Sequence, residues 1–221
     1  LQKDARCLSD ILADNGYQCG YIGKWHLDFP QKEDYPFLDS RREDGFVWDA
    51  YTPPGEHRHG FSFWYSYGCC DRHFTPHYWK NDGGIEKRIN IKQWSPVHET
   101  DVAVDYIKGI SKEKPFALFL AHNPPHMPFD EVPEEYLKLY EGKSAEELLT
   151  RPNAEKTEAA RENVKRYFAA ISGLDVQLKR VLDALDEEGI RDNTIVIYTS
   201  DHGEMMGSHG RMLSLIHISE P

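Results

Sequence analysis

Cysteine is scarce in this 221-residue sequence, and the positions of the four cysteines limit what they can do. Cys7, Cys19, Cys69 and Cys70 form neither a dense disulfide framework nor a C-x-x-C pair with the spacing of a zinc site. We therefore expect buried or surface thiols rather than a fold that disulfides stabilise.

Positive charge is also in deficit, with 26 Lys and Arg against 37 Asp and Glu and a formal net charge of −11. Non-specific nucleic-acid binders need Lys and Arg to displace phosphate counterions, so we expect no nucleic-acid partner. No run approaches about 18 consecutive apolar residues, which predicts no transmembrane segment. The first residues contain no basic n-region followed by an apolar h-region, but Leu1 is not an initiator Met and opens directly inside a helical pattern, so a preceding leader stays open, as do localisation and oligomeric state.

The apolar pattern that is present predicts alternating helices and strands. Helical spacing begins at Ala5 and ends at Asn15-Gly16, a second helix opens at Ser95-Pro96, and a long third one covers 154–188. Strands are expected at 17–23, 116–121 and 194–199, and the segment 29–94 is expected to be rich in loops with a few short strands. This order favours an α/β fold with a mostly parallel or mixed central sheet and helices on both faces.

Each of the three main predicted strands is followed by a polar cluster. In open α/β sheets, ligands bind at the carboxyl ends of strands, so these clusters predict one site at one sheet edge. Their members are Lys24, His26, His122, His126, Asp201 and His202.

Taken alone, these residues allow two interpretations each. Asp201-His202 supplies two ligands for a divalent metal, or else Asp201 caps the next turn and His202 packs against it. His126, held between prolines, suits a donor to an anionic ligand or to a leaving group, or a structural role. Lys24 and His26, two apart in an expected extended stretch, hold an anionic oxygen or are a solvated lysine beside a packed histidine.

Three segments together make the sequence recognisable. The stretch 20–27, GYIGKWHL, resembles the second signature of the type I sulfatases, although Asp28 replaces the usual glycine after it. The stretch 122–129, HNPPHMPF, is similar to the sulfate-contacting histidine loop of that family, and 200–204, SDHGE, is similar to its second metal-binding segment. The segments occur in the family order across residues 1–212. The resemblance implies the alkaline-phosphatase-like α/β fold.

The resemblance also implies hydrolysis of sulfate monoesters of small molecules or glycans. In this family a formylglycine, made from Cys or Ser in a C/S-x-P-x-R motif, acts beside a divalent cation that is commonly Ca²⁺. Lys24 and His26 would then bind sulfate oxygens or assist turnover, and His126 would contact the sulfate and the leaving oxygen. Asp201 and His202 would ligate the metal, and a periplasmic or secreted location would be expected.

The sequence departs from the family pattern in three ways. None of the four cysteines is followed by x-P-x-R, so we expect the nucleophile and an earlier acidic pair to precede Leu1, which leaves 1–212 a partial catalytic domain. The family lysine about a dozen residues after Asp201 is missing. The string LSLIHISEP at 213–221 resembles a translated sequencing adapter, and it is excluded, with His217, from the functional interpretation.

Two other functions remain open at this point. A phosphonate or phosphate-ester hydrolase of the same superfamily would use similar metal chemistry, although GKWHL favours a sulfatase. A non-catalytic relative would bind sulfated glycans through the same basic pocket. We expect the chain as given to be inactive, because covalent catalysis needs a nucleophile that no residue here supplies.

Overall fold

A five-stranded mixed sheet forms the centre of the computed structural model, which describes residues 4–38 and 47–213. The spatial order of the strands is β4-β3-β2-β1-β5, and β1 runs parallel to both β2 and β5. The pairs β2–β3 and β3–β4 are antiparallel, so the sheet is mixed, one of the two predicted forms. The strands are β1 Gln18–Lys24, β2 Phe63–Tyr67, β3 His77–Lys80, β4 Ile89–Asn90 and β5 Phe116–Ala121.

Helices cover both faces of this sheet, as the sequence predicts. On one face, Leu12 of the first helix packs against Cys19 and Tyr21, while on the other Ala103 of the second helix packs with Ile22. The longest helix then covers the second helix around Ile107. The helices are α1 Leu8–Asp14, α2 Ser95–Gly109, α3 Glu134–Leu137, α4 Ala145–Leu148 and α5 Glu158–Glu187.

The close pairing of β1 with β5 requires a glycine next to the end of β1. Gly23 has φ +104°, and a Cβ atom there would lie 2.1 Å from the carbonyl oxygen of Ala121. A side chain at this position would therefore push the two strands apart. The glycine keeps Lys24, the last residue of β1, beside the residues that follow β5.

The predicted strand at 194–199 is wrong. These residues adopt no regular secondary structure, and the side chains of Ile195 and Ile197 are 88% and 79% exposed. In the described residues β5 pairs only with β1, and no strand of the sheet pairs with 194–199, so apolar character alone does not form a strand here. For the same reason β5 is only half-buried, not buried on both faces as its apolar run predicts.

Two smaller predictions also need correction. The N-cap of α2 is Trp94, with Ser95 as the first helical residue, one position earlier than expected. The short strands expected in 29–94 do form, but β2, β3 and β4 are part of the central sheet itself. No helix within 4–38 and 47–213 combines the length and the apolarity needed to cross a bilayer.

Candidate active site

The carboxyl ends of β1 and β5 are linked by side-chain hydrogen bonds. The Nζ atom of Lys24 donates to Oδ1 of Asn123 at 3.0 Å, and Nδ2 of Asn123 donates to the carbonyl of Cys70 at 3.2 Å. The hydroxyl of the buried Tyr21 donates to the carbonyl of Lys24. These contacts fix Lys24 between the segments that follow β2 and β5.

A buried carboxylate holds the segment that follows β2. Oδ1 of Asp49 accepts the backbone N–H groups of Gly68 and Cys69, both at 3.1 Å, and Oδ2 lies 2.8 Å from Nε2 of His77. Asp49 and His77 are fully buried. Burial raises the pKa of the Cys69 thiol to about 11 although nearby Lys24 opposes this, so Cys69 is a protonated thiol at neutral pH and a poor nucleophile.

His26 does not lie in an extended stretch, which corrects the geometry expected for it. Its backbone has φ 48°, and its N–H donates to the carbonyl of Gly68 at 2.9 Å. Its ring is partly exposed, yet desolvation by the surrounding loops is the main cause that lowers its pKa, followed by the positive charge of Lys24. The ring also lies within electrostatic reach of Asp71, His126 and Asp201.

The proline-flanked His126 reaches the same place from the loop after β5. Its Nδ1–H donates to the carbonyl of Met127 at 2.8 Å, and Nδ1 lies 3.7 Å from Oδ1 of Asp71. The buried His73 fixes this loop, since its Nε2–H donates to the carbonyl of His126 at 2.9 Å. Desolvation lowers the pKa of His73, so its ring is neutral at neutral pH.

Asp201 and His202 complete the group of predicted residues. The rings of His126 and His202 have centroids 6.4 Å apart, and Nε2 of His202 lies 3.6 Å from Oδ2 of Asp201. Oδ1 of Asp201 accepts the N–H of His202 at 2.9 Å, and the Asp201 side chain is 89% exposed.

The donors at Asp201 and His202 fit part of a divalent-cation site. A carboxylate oxygen suits Ca²⁺, which takes six to eight oxygen ligands. Within 4–38 and 47–213, no third His, Cys, Asp or Glu side chain lies close enough to form a three-ligand group with them. A complete calcium site would therefore need further ligands.

The structure changes the interpretation of His122 and adds Asp71 to the residues of the candidate site. His122 is engaged on the α2 side of the sheet, where its Nδ1 lies 2.6 Å from Oε2 of the buried Glu99, so it is part of a buried network. Asp71, which sequence reasoning missed, places a buried Oδ1 without a hydrogen-bond partner opposite His126. The available signal was the segment CCDRH at 69–73, which begins two residues after the last residue of the aromatic strand β2.

Comparison with known proteins identifies similar chains. A sequence model described as Sulfatase matches residues 1–217. An endo-4-O-sulfatase from Bacteroides thetaiotaomicron is 42% identical over 219 residues, covering 94% of this chain and 42% of that protein. An ulvan-active sulfatase from Formosa agariphila is 32% identical over 215 residues, covering 95% of this chain and 37% of that protein.

Solved structures agree with the sequence matches. The crystal structure of a putative sulfatase from Bacteroides fragilis superposes with a TM-score of 0.87 at 41% identity, covering 96% of this chain and 46% of that one. The chain thus spans less than half the length of the relatives it matches.

Proposed function

The chain belongs to the sulfatase family, and on that basis we propose that it is part of a sulfuric ester hydrolase that cleaves sulfate monoesters. Its sheet and helices have the alkaline-phosphatase-like fold of the sulfatases, as predicted. The substrate class that we propose is a sulfated glycan, because the relatives include an endo-4-O-sulfatase and an ulvan-active sulfatase. A periplasmic or secreted location is part of the same proposal.

One observation carries the proposal: basic side chains from three separate segments face a common space. The ammonium group of Lys24 and the rings of His26, His126 and His202 lie together where β1 and β5 end. A sulfate ester carries its negative charge on the non-bridging oxygens, and donors directed at those oxygens stabilise the charge that grows during ester cleavage. A neutral substrate would gain little from this arrangement.

The proposed roles follow from these contacts. Lys24, fixed by Asn123, would bind a sulfate oxygen, and His26 beside it would bind a second oxygen or assist turnover. Because Nδ1 of His126 donates to the carbonyl of Met127, Nε2 is the atom left to face the sulfate, and the doubly protonated ring would pass its Nε2 proton to the leaving oxygen and keep the Nδ1 proton. Lys24, His26 and His126 are thus the proposed catalytic and substrate-binding residues.

Asp201 and His202 would hold a divalent cation, for which Ca²⁺ is our proposal, together with oxygen ligands from outside the described residues. Such a cation would neutralise charge on a sulfate oxygen, and a formylglycine from a C/S-x-P-x-R motif would supply the nucleophile. No cysteine of this chain lies in that motif, so the activity is proposed for a protein that contains this chain together with such a segment. We propose that residues 1–212 act as part of that catalytic domain, that 213–221 are non-native, and that the chain alone is inactive.

The experiment that tests the site uses the chain itself. Titration with inorganic sulfate and with a sulfated disaccharide, followed by NMR of the histidine rings, should shift His26 and His126, and the desulfated disaccharide should not. Lys24→Met should weaken sulfate binding about tenfold or more, as expected for the loss of a charged hydrogen bond. Lys80→Met, an exposed lysine of β3, is the control with the same change of charge. Equal binding by both variants would contradict the assignment.

Two further assays separate the alternatives. In a protein that combines this chain with a C/S-x-P-x-R segment, a sulfatase cleaves a sulfated glycan faster than the matching phosphate ester, and a phosphate-ester or phosphonate hydrolase shows the reverse order. Binding of the sulfated glycan without turnover of either ester would instead favour a non-catalytic binding protein.

A further inference from the structure

A second cluster of metal-binding residue types lies away from the proposed active site, between α1 and the segment before β2. The ligand atoms of Cys7, Asp10 and His59 all lie within 4.8 Å of one another. We propose that these three residues bind a zinc-class transition-metal ion, with water as the fourth ligand. Thiolate, imidazole and carboxylate are together the donor types that zinc takes in sites with three protein ligands.

The most informative member of this cluster is His59. Only 3% of its side chain is exposed to solvent, and its ring is directed at the carboxylate of Asp10. Its Nδ1 atom faces Oδ2 of Asp10 at 3.4 Å, which is long for a hydrogen bond. A tetrahedral zinc ion with bonds of about 2.0–2.1 Å to nitrogen and oxygen would hold these two atoms about 3.3 Å apart. The pair is therefore spaced for a metal between its atoms.

Local structure preorganises the three ligands. Cys7 precedes α1 and its N–H donates to Oδ2 of Asp10 at 2.8 Å, which brings the thiol and the carboxylate to the same side of the chain. His59 has φ 41°, and the next residue, Gly60, has no room for a side chain, because a Cβ there would lie 2.8 Å from the carbonyl of Ser9. The backbone that carries His59 is thus packed directly on the helix that carries Asp10.

The surroundings favour a cation with access to water. A cavity of about 300 Å³ opens beside the cluster, and Asp4 and Glu56 line it together with Asp10 and His59. Arg6 lines it too, but its guanidinium pairs with Asp14 at 2.6 Å. The thiolate and the carboxylate supply two negative charges, which offset those of a divalent ion. Binding releases the thiol proton of Cys7 to solvent, so the affinity should rise with pH.

The test is direct metal binding by the purified 221-residue chain, with no activity assay. One equivalent of Co²⁺, the spectroscopic substitute for Zn²⁺, should produce a thiolate-to-cobalt charge-transfer band, and added Zn²⁺ should abolish it. Cys7→Ser is the informative variant, because serine is a preferred N-cap residue and keeps α1 intact while removing the soft ligand. This variant should lose the band and at least about tenfold of the Zn²⁺ affinity.

Matched controls distinguish this site from others. His57→Gln changes a neighbouring histidine outside the cluster, and Asp201→Asn changes the proposed cation site, so both variants should keep the band. A band that persists in Cys7→Ser, or none in the wild-type chain, would overturn the proposal. If Asp10→Asn and His59→Gln also lower the affinity while Cys7→Ser keeps the wild-type circular dichroism, the three-residue site is supported. If Asp10→Asn or His59→Gln keeps the full Zn²⁺ affinity, the substituted residue is not a ligand of the site.

Discussion

Nδ1 of His126 lies 3.7 Å from Oδ1 of Asp71, so a carboxylate faces one of the basic groups of the candidate site. This oxygen is buried and accepts no hydrogen bond. A carboxylate repels a bound sulfate, so Asp71 does not strengthen sulfate binding and needs a different role in the site. Accepting a hydrogen bond from a sugar hydroxyl next to the ester is a role that fits its chemistry.

The repulsion by Asp71 leads to a measurable expectation. Asp71→Asn keeps the shape of the side chain and removes its charge, so the affinity for inorganic sulfate should rise by about tenfold. A larger rise is not expected, because the Asp71 side chain is partly exposed and solvent weakens its repulsion of the anion. Isothermal titration calorimetry of the chain at low salt measures this. Asp105→Asn, an exposed position on α2 with the same change of charge, should leave the affinity unchanged. A weaker affinity in Asp71→Asn would mean that the carboxylate supports anion binding.

The pKa of His26 should respond to its charged neighbours in opposite directions. Desolvation and Lys24 lower this pKa and Asp71 raises it, so Lys24→Met should move it up towards the ordinary value of 6.5. Asp71→Asn should move it further down. The NMR titration of the His26 ring in each variant gives the result. Shifts of the same sign in both variants would show that His26 does not lie between these two charges.

Stability should fall on mild acidification. Desolvation lowers the pKa values of His26, His73 and His98, so between the ordinary value of 6.5 and the lowered values the unfolded state binds more protons than the folded state. The free energy of unfolding therefore decreases as the pH falls through that window. Urea unfolding between pH 7.5 and 5.5 would measure it, with a smaller slope in His98→Gln. Carboxylates with lowered pKa values contribute only below about 4.5, and these are Glu147, Glu158 and Glu188.

Removal of the buried carboxylate of Asp49 should destabilise the fold. Asp49→Ala leaves two backbone N–H groups and the ring of His77 without their acceptor, at a cost of about 3–5 kcal/mol in the free energy of unfolding. Asp49→Asn keeps one acceptor oxygen and should cost less. Urea unfolding measures both variants against Asp175→Ala, an exposed position on α5 that should change little. Equal stability of all three variants would contradict the role of Asp49.

Asp201 provides the test of the proposed cation site. In a protein that joins this chain to a C/S-x-P-x-R segment, Asp201→Ala should abolish sulfate-ester turnover and weaken Ca²⁺ binding, because a hard oxygen ligand is lost. Asp192→Ala, nine residues earlier and exposed, is the control. Turnover by Asp201→Ala at the wild-type rate in chelator-treated buffer would refute the assignment.

The parts of the fold that the sequence predicts are those with local signals. The helical spacing of 154–188 and the apolar run 116–121 each identify an element without knowledge of its neighbours, and both elements form. The run 194–199 has the same apolar signal, but a strand also needs a partner strand, which sequence spacing cannot supply. A helix closes its hydrogen bonds internally, so its periodicity is enough to predict it, whereas an apolar run becomes a strand only where another segment pairs with it, as β1 pairs with β5.

The candidate site shows the same division. Motif residues such as Lys24 and His126 lie together as predicted, because strand ends bring them to one sheet edge. Asp71 and Asp49 were missed, since a loop held by a buried carboxylate has no periodicity to detect. The cluster around His59 was missed for a related reason. His59 lies 49 residues or more after Cys7 and Asp10 in the sequence, and the three residues meet only through packing.

Because 194–199 forms no strand, the residues of the candidate site are held in two different ways. Lys24 and Asn123 are attached to paired strands, whereas Asp201 follows an irregular span between Asn193 and the buried Glu204. After that span the chain is fixed again by the bridge between Ala154 and Ser208. A change in the length of the span between Asn193 and Glu204 would therefore move Asp201 and His202 without breaking the pairing of β1 with β5 that places Lys24 and Asn123.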